Sequence, residues 1–72
     1  MENNLKTLRI RAGLTQKELA EKTGITQGKI STYEQAASLN NVTVGNMSRI
    51  AAAIGTTIDE IIKNEIKTEE SL

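Results

Sequence analysis

Gln27, Gly28, Ser31 and Thr32 crowd into six residues of a polar stretch, with Lys29 among them. If that stretch is helical, 100° per residue turns Gly28, Ser31 and Thr32 away from Ile30 and leaves Gln27 at the N-terminal flank. The chemistry of such a face is hydrogen bonding without bond-making. A carboxamide pairs a donor with an acceptor, a threonine sets a hydroxyl beside a methyl, and a glycine leaves room for close approach. Gln16 and Lys17 open another polar segment, at a place where a helix N-terminus would present N–H groups and the positive end of its dipole to an anion. Arg9 and Glu34 are charges of a different kind. Each falls on an apolar stripe, where an unpaired charge costs several kcal/mol, so the two are expected to pair and to fix one helix against another.

Most catalytic chemistry has no residues to run on. The 72 residues contain neither histidine nor cysteine, which removes soft-ligand metal sites, thiolate nucleophiles, disulfides and the side chain that normally titrates near neutral pH. No pair of carboxylates is placed in a pocket by the pattern, so no enzyme, metal, cofactor or small-molecule substrate is expected. Proline, phenylalanine and tryptophan are absent, and Tyr33 is the one aromatic. That composition disfavours a β-sandwich and a base-stacking platform and favours an all-α fold. Nine basic side chains balance nine acidic ones. The split is uneven: residues 1–58 hold seven basic and four acidic groups, residues 59–72 two and five. No signal peptide or membrane span is expected, and the default location is cytoplasmic, on the nucleoid if DNA is bound.

The elements that must position these residues are marked by glycines and threonines. Leu5, Leu8 and Ala12 share a helical face ahead of Gly13. Thr15 and Glu18 have capping-box spacing for a second helix to about Lys22, with Leu19 and Ala20 inward and Gly24 behind. Thr26 caps a third helix, on which Ile30 and Tyr33 face inward. Residues 35–41 read as a polar loop. Thr43 caps a fourth helix with Val44, Met47, Ile50, Ala51 and Ile54 on one face and Gly55 at its end. Thr57 and Glu60 form a second capping-box pattern for a fifth helix carrying Ile58, Ile61, Ile62 and Ile66. One domain is expected over residues 1–66, with an acidic tail over 67–72. Its core should be Leu8, Leu19, Ile25, Ile30, Met47, Ile50, Ile54, Ile58 and Ile61.

Two short helices joined by a glycine turn make a helix-turn-helix, whose second helix can enter a DNA major groove. The ordered set Gln16, Leu19, Ala20, Gly24, Ile25, Ile30, Tyr33 and Glu34 resembles the Cro and phage-repressor (Xre-type) regulators. The resemblance runs from about Leu5 to Ile62 and includes Leu8-Arg9, Gly13-Leu14-Thr15-Gln16, Ile50-Ala51 through Ile54-Gly55, and Ile58-Asp59-Glu60-Ile61-Ile62. It implies a five-helix, lambda-repressor-like domain with a buried pair at Arg9 and Glu34 and a phosphate contact from Gln16. The expected function is sequence-specific binding of a double-stranded operator by a transcriptional repressor, acting as a homodimer on a roughly palindromic site. Gln27, Gly28, Ser31 and Thr32 would read bases, Gln27 suiting adenine N6 and N7 and the Thr32 methyl suiting thymine. Gln16, Lys17, Lys29, Asn40 and Asn41 would hold phosphates, and Ile58, Ile61, Ile62 and Ile66 would form the dimer interface.

One stretch departs from the family. Its members often place an Asn-Gly turn and a basic loop after the Glu34 position, whereas this chain has no Lys or Arg between Glu34 and Arg49 and a loop about two residues longer. That gap, the zero net charge and Gly28 keep a second reading open: a protein-interaction module on the same fold, with weak or no DNA binding.

Overall fold

The computed structural model describes residues 3–36, 39 and 41–63. They form α1 (Leu5–Arg11), α2 (Gln16–Thr23), α3 (Gln27–Gln35), α4 (Val44–Ile54) and α5 (Ile58–Ile61), and no strand occurs among them. Asn40, Ile66 and the expected tail at 67–72 lie outside the described residues. No helix among those described is long and apolar enough to cross a membrane.

Threonine starts four of the five helices for a common reason. Thr15, Thr26, Thr43 and Thr57 have extended backbone, and each hydroxyl oxygen accepts the N–H three residues on, at 3.0, 3.2, 3.1 and 3.1 Å. These bonds satisfy donors that a helix start leaves without partners. Only the first is a full capping box, with Glu18 Oε1 also accepting from Thr15 N at 2.9 Å. The box expected at Thr57 is half formed, because the Glu60 carboxylate lies beside Lys63 instead.

α2 packs against both α3 and α4, α1 against α3, and α5 against α4. The centre of this arrangement is Leu5, Leu19, Ile30, Ile50 and Ile61, all with no exposed surface. Burying side chains of this size stabilises the fold by about 1.5–3 kcal/mol each. Ile25, Leu39, Met47 and Ala51 complete the core, while Leu8, Tyr33, Ile54, Ile58 and Ile62 pack on it half-buried.

Four expectations change. Leu8, Ile54 and Ile58 border the core instead of filling it. Leu39 sits in the stretch read as a polar loop yet is 5% exposed and belongs to the core, with Ala36 of the same stretch packed against it. Val44 is 75% exposed. It is the first residue of α4, about 70° off the centre of the stripe formed by Met47, Ile50 and Ala51, where no preceding helical turn shields it. Ile61 is fully enclosed by its own chain and so has no surface to offer a second copy.

Candidate nucleic-acid interface

The turn between α2 and α3 is held by backbone geometry and one hydroxyl. Gly24 adopts φ +76°, a left-handed conformation that glycine takes without steric penalty, and its N–H returns to Ala20 O at 2.8 Å. The Thr23 hydroxyl donates to Leu19 O at 2.8 Å and accepts from Ile25 N at 3.2 Å. Ile25, 5% exposed, then wedges the turn into the core, and α3 starts two residues later.

With Ile30 and Glu34 buried, the opposite side of α3 faces outward. Gln27, Gly28, Lys29, Thr32 and Gln35 are exposed, and Ser31 is half-buried. Three of these side chains are already engaged along the helix. The Thr32 hydroxyl donates to Gly28 O at 3.0 Å, and the Gln35 amide donates to Ser31 Oγ at 3.3 Å. Lys17 stands exposed on the first turn of α2, and Asn41 is exposed beyond α3.

Beneath this face lies a buried charge cluster that sets the angle of α3. The Glu34 carboxylate accepts from Arg9 Nε and, at 3.3 Å, from Arg9 Nη2. It also accepts from Gln16 Nε2 at 3.0 Å. Arg9 Nη1 donates to Leu14 O at 2.7 Å. The paired side chains are 9% and 3% exposed, and no buried side-chain polar atom among the described residues lacks a partner. The Glu34 carboxylate therefore ties the last turn of α3 to α1 and to the start of α2, and Arg9 extends the link to the turn after α1. Gln16, expected at a phosphate, is half-buried with one amide hydrogen committed to Glu34. An amide nitrogen carries two hydrogens, so the second remains for an anion in front of α2.

Sequence reasoning missed Asn3. It is 7% exposed, and its Nδ2 donates to Tyr33 O at 2.8 Å and Ala36 O at 3.1 Å, while its Oδ1 accepts from Leu5 N at 2.9 Å. α3 has no glycine at its end and leaves in extended conformation at Ala36, so the Asn3 amide takes up Ala36 O and adds a second donor to Tyr33 O, which also accepts from Ala36 N at 3.3 Å. An asparagine just ahead of a helix is legible as a cap. Its reach to a helix thirty residues away is not.

An exposed polar helix face, set by a tight turn on a second helix and locked from behind by a buried pair, is the geometry that a groove-reading module requires. The helix-turn-helix family matches residues 5–61. The chain belongs to that family. Helix-turn-helix chains of this Cro/C1 type are DNA-binding regulators, and the match spans all five helices described above. No curated relative and no solved structure matches the chain.

Proposed function

We propose that this helix-turn-helix protein is a transcriptional repressor that binds a specific duplex DNA operator as a homodimer in the cytoplasm. The observation that carries the reading is the outward face of α3, where Gln27, Gly28 and Thr32 are exposed while Ile30 and Glu34 are buried behind them. Seated in a major groove, Gln27 pairs its carboxamide with adenine N6 and N7, and Thr32 and Ser31 meet neighbouring base edges. Gln16, Lys17, Lys29 and Asn41 hold the phosphates on either side, and these contacts fix register without reading sequence.

Selection from a randomised duplex pool tests the reading. The parent should enrich one motif saturably, and Gln27→Ala should change the bases preferred at one position by about 1–3 kcal/mol while leaving the rest of the motif intact. A Gln27→Ala profile identical to the parent's would take Gln27 out of the base contacts.

The dimer is supported by apolar surface that one chain leaves uncovered. Ile58 and Ile62 are half-buried, and a domain this small gains from association. Two copies joined there would set their α3 helices about 34 Å apart, one turn of DNA, on adjacent half-sites. Sedimentation should show dimers on operator DNA, and Ile62→Asp should shift the protein to monomers without unfolding it. A chain that stays monomeric at high micromolar concentration, free and on DNA, has no such interface. The interaction-module reading draws on the uncharged loop and the zero net charge; salt dependence separates the two.

A further inference from the structure

The geometry points to Thr32 as a reader of an A·T pair that excludes guanine, with Gly28 as the clearance that lets the pair approach; this rests on the DNA-binding reading above. A hydroxyl has one hydrogen to donate and two lone pairs to accept with. In Thr32 the hydrogen is spent inside the chain, on Gly28 O at 3.0 Å. What the exposed side chain offers outward is therefore lone pairs and a methyl group.

The edges of the major groove answer that offer unequally. Guanine presents O6 and N7, both acceptors, and so leaves the Thr32 lone pairs facing lone pairs. Cytosine offers a donor at N4 but no methyl. An A·T pair offers both, the adenine N6 hydrogen for the Thr32 oxygen and the thymine methyl for the Thr32 methyl.

Gly28 supplies the second observation. Its backbone is not left-handed, and a Cβ built on it would meet nothing within 4 Å. Neither conformation nor packing within the chain calls for glycine there, although glycine inside a helix destabilises it relative to alanine. Gly28 lies one helical turn before Thr32, on the same outward strip, and the carbonyl that holds the Thr32 hydroxyl is its own. The missing side chain leaves that strip low, so a base pair reaches Thr32 without striking the preceding turn.

The test uses the operator that the parent selects, with thymines replaced one at a time by deoxyuridine, which removes the methyl alone. One position should lose roughly fourfold in affinity, the worth of one buried methyl group. Thr32→Val, which keeps a methyl, should retain that sensitivity, and Thr32→Ser, which lacks one, should lose it. Guanine in place of the read base should weaken the parent more than tenfold. Gly28→Ala should raise the melting temperature while lowering operator affinity more than tenfold. Operator-specific binding that ignores every deoxyuridine, or that prefers guanine at the position altered by Thr32→Ala, overturns the Thr32 assignment and leaves DNA binding in place. Gly28→Ala that binds as tightly as the parent overturns the clearance. No sequence preference in the parent at all overturns the DNA-binding reading itself.

Discussion

Arg9→Ala and Glu34→Ala should each lower the unfolding free energy by about 3 kcal/mol or more, because each leaves a buried charge without its partner. The Glu34 carboxylate accepts from both Arg9 and Gln16, and Arg9 also holds Leu14 O, so either deletion loosens α1, α2 and α3 at once. Small domains are stable by about 5–15 kcal/mol in total, so the loss is a large share of what holds this one. In a domain of this size it corresponds to a fall of at least about 12 °C in melting temperature. Replacing both residues together, as Arg9→Met with Glu34→Leu, should cost less than either alanine variant, since an apolar pair needs no charge compensation. Denaturant melts of the four proteins check the set. A loss under about 1 kcal/mol for the single variants, the usual worth of an exposed pair, would show that water reaches these groups in solution.

The pair was legible because both members break an apolar stripe, and a break of that kind has few inexpensive solutions. The four threonine caps were legible for a related reason: hydroxyl and N–H lie three residues apart, so the whole interaction is local. Where partners are distant, the pattern is silent. Leu39 stands alone in a stretch without periodicity, and only the tertiary fold shows that it reaches the core. Asn3 caps α1 locally but also closes α3 from thirty or more residues away. The isoleucines of α5 fail in another way. Ile58, Ile61 and Ile62 give a short helix more apolar positions than one inward face needs, and packing against α4 decides that Ile61 is enclosed while the other two keep surface. Gln16 opens α2 as its spacing implied, yet nothing in that spacing told that its amide turns to Glu34.

Operator binding should weaken with salt along a slope of about −5 in log affinity against log salt concentration. Each phosphate neutralised by a lysine or arginine contributes roughly 0.9 to that slope. Lys17 is exposed on the first turn of α2, Lys29 is exposed on α3, and Arg11 is exposed at the end of α1. Arg49 belongs elsewhere. It shares a shallow depression between α2 and α4 with Lys22, Ala52 and Ala53, near the end of α2 remote from Gln16. Three cations per subunit give about six per dimer, and the uncharged stretch between Glu34 and Arg49 adds none. Between about 50 and 200 mM salt, affinity should fall about a thousandfold. Binding to unrelated duplexes should be weak throughout, because a chain of zero net charge has no general attraction to a polyanion. A protein-interaction module with the same fold should instead give a slope of about −2 or shallower on every duplex, and no preferred sequence. Titration of the selected duplex across that salt range decides between them. A slope steeper than about −7 would place Lys22 and Arg49 on the duplex as well, and a slope near zero without operator preference would leave the fold and remove the DNA-binding function.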